Sequence, residues 1–118
     1  MTDHELEKWA AMVVMGYAPF TQENGIEGYL IPNLPNRKGI YKEEWRPLTD
    51  LNQCFMVVER MRELGREIKL VTGLRQQKRI WLCQIWSTMD NEVEEYGQNP
   101  AKAIIKAAYA ALEGGKDL

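Results

Sequence analysis

The sequence predicts an α+β domain: an antiparallel β-sheet with helices packed on it as an α-β-α sandwich, in the order α-ββ-α-ββ-α. Three observations carry this. Apolar residues recur with helical spacing in three separate stretches, the run Arg79 to Trp86 alternates with apolar residues on both faces, and turn residues punctuate the intervals. A length of 118 residues fits one domain spanning 1–118. With 45% hydrophobic and 27% charged residues the composition is that of a globular chain rather than a disordered one.

The first helix is expected over Thr2 to Met15. Leu6, Trp9, Ala10, Val13 and Tyr17 share one stripe, Thr2 and Glu5 have capping-box spacing, and Gly16 follows as a stop. Pro19 to Gly28, rich in turn residues, reads as a loop. Tyr29 to Ile31 is a short strand closed by Pro32, which restricts it to an edge or a strand end. Turn chemistry from Asn33 to Gly39 (Pro35, Asn36) leads to Ile40 and Tyr41, which pair back as a hairpin.

Thr49 and Asp50 suit a helix start, with Gln53 at the capping distance. The helix that follows carries Leu51, Cys54, Phe55, Val58, Met61 and Leu64 on one face and ends at Gly65. Glu67 to Thr72 is a strand with Ile68 and Leu70 on one side, and Leu74 to Lys78 is a five-residue connection. In the strand Arg79 to Trp86, Ile80, Leu82, Gln84 and Trp86 point one way and Trp81, Cys83 and Ile85 the other. Helices on both sides of it are therefore expected. Ser87 to Gln98, with Asp90, Glu92, Glu94 and Glu95, reads as an acidic loop. The last helix starts at Asn99-Pro100, presents Ala101, Ile104, Ile105, Ala108 and Leu112, and stops at Gly114-Gly115.

Several runs resemble a known family. Leu6 to Tyr17, with Val14-Met15-Gly16-Tyr17, is similar to its Leu-x-x-x-Val-Met-Gly-Trp opening. Trp45-Arg46-Pro47-Leu48-Thr49-Asp50, followed by Val57-Val58-Glu59-Arg60-Met61-Arg62, resembles its central Trp-x-Pro-Ser/Thr-Thr-Asp and Val-Val-Glu-x-Met-Arg motifs. Ala103 to Glu113 resembles its alanine-rich tail. The family is the phage ABA sandwich domain, found in small proteins of tailed phages and prophages. Leu48 replaces the usual Ser or Thr, and Tyr17 stands where Trp is common. The resemblance implies α-β-α layering and a phage or prophage origin. It implies no activity, because the family is named for its fold.

The usual catalytic and metal-binding groups are scarce. His4 is the one histidine, and Cys54 and Cys83 sit in apolar runs as small buried thiols. Neither a four-ligand zinc site nor a histidine-based triad can be assembled from them. Glu43-Glu44 and Glu94-Glu95 fall in expected loops without the apolar shell that would tune them for acid–base work. The expectation is a protein that is not an enzyme, with no catalytic residues, no metal and no cofactor. The opening Met1-Thr2-Asp3-His4-Glu5 is unlike a signal peptide, and no apolar run approaches the ~20 residues of a membrane span. Soluble residence in the host cytoplasm, with no membrane partner, is expected.

Candidate binding residues come from three features. Trp45, Arg46, Thr49 and Asp50 surround a helix N-terminus, which attracts an anion if its amides are free and merely caps a helix if they are not. Seven cations between Arg60 and Arg79, Arg75, Lys78 and Arg79 among them, face only Glu63 and Glu67, an excess of five. Such a patch draws phosphate-bearing ligands, or forms a solvated face that discourages edge pairing. Tyr41, Trp81 and Trp86 are stacking platforms or core. At a net charge of −2 a whole-surface nucleic-acid binder is not expected. The leading expectation is a phage accessory protein that sequesters a small anionic, nucleotide-derived host signal, a sponge acting against host defence, as a homo-oligomer. The alternatives are a module that inhibits a host factor by protein–protein contact and a nucleic-acid binder.

Overall fold

The structure, a computed structural model, describes residues 1–32, 39–87 and 92–114. The expected turn residues Pro35 and Asn36, together with Asp90 and Gly115, lie outside these. The α+β class holds, with helices and antiparallel strands alternating in the expected order. Each expected strand pair carries a third strand, so the described residues form two three-stranded sheets rather than one sheet.

Helix α1, Asp3–Trp9, is capped by the Thr2 hydroxyl, which accepts the Glu5 N–H at 3.1 Å. It runs into a π-helical turn, Ala10–Val14, where the Met15 N–H reaches back five residues to the Ala10 carbonyl. The wider turn advances the buried face by one residue. Val14, at 1% exposure, takes the core place expected of Val13, which is 50% exposed. Tyr17 is buried as expected.

The stretch read as a loop from Pro19 to Gly28 contains all but the first residue of strand β1, Ala18–Thr21, and the start of β2, Glu27–Leu30. Pro19 is tolerated because β1 is an edge strand. The Asn24 carboxamide accepts the Ile26 N–H and helps close the turn. Strand β3, Gly39–Tyr41, pairs with β2 as expected, Tyr29 opposite Ile40. Pro32 lies just past the end of β2, which is the central strand.

Helix α2, Leu51–Glu63, starts where expected, the Asp50 carboxylate accepting the N–H groups of Asn52 and Gln53 at 2.9 and 3.2 Å. Its buried seam is narrower than expected: Cys54, Val57 and Met61 are covered, while Leu51, Phe55 and Leu64 are exposed. The helix is turned so that the 54–57–61 seam meets the neighbouring helix and the π-helical turn. After Gly65 come β4, Glu67–Arg75, and β5, Lys78–Trp86, joined by two residues instead of five. Gln76 and Gln77 have φ of 52° and 64°, the left-handed pair of a type I′ turn, whose twist matches the strands.

The acidic segment expected to be a loop contains β6, Val93–Gly97, on the far side of β5. Its alternation places Val93, Glu95 and Gly97 inward and Glu94 and Tyr96 outward. Helix α3, Pro100–Leu112, capped by the Asn99 side chain, is buried around most of its girth and lies against β5 and β6. A Cβ at Gly97 would sit 2.5 Å from the Ala103 backbone nitrogen, so glycine sets how closely helix and sheet approach. Cys54 and Cys83 are free and buried, and their thiols are pushed up to about 12 by desolvation.

Candidate functional site

The residues singled out around the second helix start are occupied with structure. Trp45, at 1% exposure, donates its indole N–H to the Glu7 carbonyl at 2.8 Å and meets the Tyr17 ring edge-on at 5.4 Å. It is core and offers no face to a ligand. Arg46 pairs with the buried Glu7 carboxylate at 3.3 Å, and the other Glu7 oxygen accepts the Leu48 N–H at 3.4 Å. The Arg46 amide donates to the Gln53 side chain, whose NH2 group donates to the Glu44 carbonyl at 2.6 Å. Thr49 turns its hydroxyl onto the Arg46 carbonyl, and Asp50 caps α2. A helix end already filled by a carboxylate makes a poor anion site: Asp50 caps the helix, Trp45 fills the core, and Arg46 and Thr49 are engaged with neighbouring groups.

Tyr41 is exposed on a hollow of about 550 Å³ lined also by Asn24, Ile26, Glu27, Lys42, Glu43 and Glu44. The Lys42 ammonium donates to Glu27 at 2.9 Å, a hydrogen bond that holds the Glu27 carboxyl below its usual range. The lining is left acidic, which repels an anion despite the size of the hollow.

The cationic stretch is divided. Arg60 and Arg62 engage Glu63 and Glu59 along α2, and the Arg60 Nε–H also donates to the Val14 carbonyl. Arg75, Lys78 and Arg79 sit at the tip of the β4–β5 hairpin, where Arg79 donates to the Thr72 hydroxyl at 3.2 Å. Trp81 faces the helices and is half-buried, whereas Trp86 lies exposed on the opposite face, five residues along the same strand. Five residues of strand span about 16 Å. The tryptophans and arginines therefore do not line one hollow.

The structure brings together a different set. Register places Val71, Gly73 and Arg75 of β4, Ile80 and Leu82 of β5 and Tyr96 of β6 on the face turned away from Cys83 and Ile85. That face is less covered than expected: α3 closes the Cys83 side, while Ile80 and Leu82 are only half-buried and Tyr96 and Trp86 are exposed. The six residues that the register sets on this face, with Thr72 and Leu74 but without Trp86, line a groove of about 340 Å³. The Arg75 guanidinium lies over the Tyr96 ring, 5.3 Å from its centre. Gly73 leaves its part of the groove floor open. An apolar bed beside a ring and a guanidinium can take a flat aromatic group carrying negative charge. Of the expected site residues only Arg75 belongs here. Tyr96 escapes sequence reading because its strand is masked by acidic neighbours; the spacing of Val93, Glu95 and Gly97 is the signal that could have found it.

Glu94 and Glu95 leave opposite faces of β6 and do not act as a pair; Glu94 accepts from the Gln84 carboxamide at 2.7 Å. Among the described residues no cluster of His, Cys, Asp and Glu could hold a metal ion, and no helix is long and apolar enough to cross a membrane.

A family model described as Phage ABA sandwich domain matches residues 8–109. The chain belongs to the phage ABA sandwich domain family. The match begins in α1 and ends in α3, so this phage domain takes in both sheets and the groove between β4 and β6. No curated protein and no solved structure matches the chain.

Proposed function

We propose that this phage ABA sandwich protein acts by holding a small anionic, nucleotide-derived molecule in the β4–β6 groove without transforming it. It would thereby sequester a host defence signal in the host cytoplasm. The observation that carries the reading is the Arg75–Tyr96 pair at the edge of an uncovered apolar bed. Ring, guanidinium and open backbone at Gly73 are what a base with an attached phosphate requires. The site moves from the tryptophans to this face, with Lys78 and Arg79 at the neighbouring hairpin tip supplying attraction at longer range.

Isothermal titration against a panel of cyclic nucleotides and ADP-ribose derivatives tests the reading. One ligand should bind stoichiometrically and be recovered unchanged. Tyr96→Ala should weaken it by about 5- to 150-fold, since stacking contributes about 1–3 kcal/mol per base. No heat with any member of the panel, or repeated turnover of one of them, would reject it.

A second reading, inhibition of a host factor by protein contact, is favoured by the same face continuing past the groove to Trp86. Ile80 to Trp86 extends about 20 Å, longer than a small ligand covers. Under this reading Trp86→Ala abolishes recovery of a single host protein, while nucleotide titrations stay flat for the parent chain and for Tyr96→Ala alike.

A further inference from the structure

We propose that the chain pairs with a second copy of itself along the β4 edge, in one register: antiparallel β4 strands related by a two-fold axis through Val71. Strand β4 is nine residues long and pairs only with β5 in its sheet, leaving its other side open among the described residues. The two-residue turn closes on the pair Arg75–Lys78, which exchanges both backbone bonds. Bonding alternates from there. Residues 67, 69, 71, 73 and 75 bond to β5, and the N–H and C=O groups of Ile68, Leu70, Thr72 and Leu74 face the open edge, a template for another strand.

The side chains select the register. Centring on Val71 sets Glu67 against Arg75 of the second copy, Ile68 against its Leu74, Leu70 against its Thr72 and Lys69 against its Gly73. Each pair occurs twice by symmetry. Leu74, 72% exposed in the single chain, gains an apolar neighbour. Lys69 lies over a residue without a side chain, where even an added Cβ would meet nothing within 4 Å in the single chain. A two-residue slip toward the hairpin, centred on Thr72, would oppose Lys69 to Arg75, like against like. The opposite slip, centred on Leu70, loses both ion pairs and opposes Leu74 to Arg66. Arg75 can reach Tyr96 across β5 or Glu67 of the second copy across the seam. If the groove reading above holds, Lys69 of the second copy also adds a cation beside Gly73; the pairing itself does not depend on that reading.

Cross-linking tests the register directly. The Val71 pair on the two-fold is a non-hydrogen-bonded pair with Cα atoms about 4.5 Å apart, within disulfide range. Val71→Cys should give a covalent dimer of about twice 13.7 kDa on mild oxidation, since the buried Cys54 and Cys83 do not compete. Lys69→Cys, its two copies about 14 Å apart, should not. By light scattering the parent chain should be a dimer. Glu67→Arg or Arg75→Glu should each weaken it about tenfold, and the two together should restore it. A parent that stays monomeric at every concentration, equal cross-linking at both positions, or a double variant that fails to recover would each overturn the proposal, whatever the nucleotide titrations return.

Discussion

Trp45→Ala should destabilise the domain by about 4–5 kcal/mol without any direct effect on a ligand. The indole is enclosed, so its removal carries the usual cost of truncating a buried aromatic, about 3–5 kcal/mol. It also strips the Glu7 carbonyl of its 2.8 Å partner and the Tyr17 ring of its edge-on neighbour. An unmet buried acceptor adds about 1–3 kcal/mol, part of it already contained in the truncation. With an unfolding entropy of about 2.1 cal/mol/K per residue, 118 residues give about 250 cal/mol/K, so 1 kcal/mol moves Tm by about 4 °C. The expected fall is therefore roughly 16–20 °C. Trp45→Phe, which keeps a ring and loses the N–H, should fall by about 4–8 °C. Thermal melts followed by circular dichroism read both. A Trp45→Ala variant that melts within about 2 °C of the parent yet loses its ligand would refute the placement of this residue in the core.

Gly97→Ala drives a methyl into the α3 backbone at Ala103 and should cost about 2–3 kcal/mol, read as a lowered urea midpoint at unchanged slope. Gln76→Asn combined with Gln77→Gly suits the left-handed turn and should stabilise by about 1 kcal/mol, visible as a rise in Tm. Both thiols should resist a disulfide reagent in the folded protein near pH 8 and react once urea unfolds it. Burial holds them protonated to a higher pH in the folded state than in the unfolded chain. Stability from this source is thus complete below the ordinary thiol value of 9.0 and is lost as pH climbs from there toward about 12, so the urea midpoint should fall steadily as pH is raised above about 9.

The helices were legible because their signals are local: caps at Thr2, Asp50 and Asn99 and apolar spacing in α3 are written in consecutive residues. The errors share a different cause. The π-helical turn that exchanges Val13 for Val14, and the rotation of α2 that uncovers Phe55, are settled by what packs against each helix. Strands β1 and β6 were hidden by Pro19 and by Glu94 and Glu95, residues an edge strand accepts and an isolated stretch of sequence argues against. The candidate site suffered most. Trp45 and Arg46 carry the strongest chemical signature and are used up in the core and on Glu7, whereas Tyr96 acquires its meaning only from the register that lays it beside Leu82 and under Arg75.

By itself the sequence determined the α+β class, the order of helices and strands, the helix starts and the buried thiols, because each follows from periodicity, capping chemistry or burial of small apolar groups within a short window. Tertiary structure alone decided that the strands form two sheets, which face of β5 lies open, and which residues meet there. Those outcomes depend on contacts between segments distant along the chain, and a ring and a guanidinium make a site only when strand register sets them side by side.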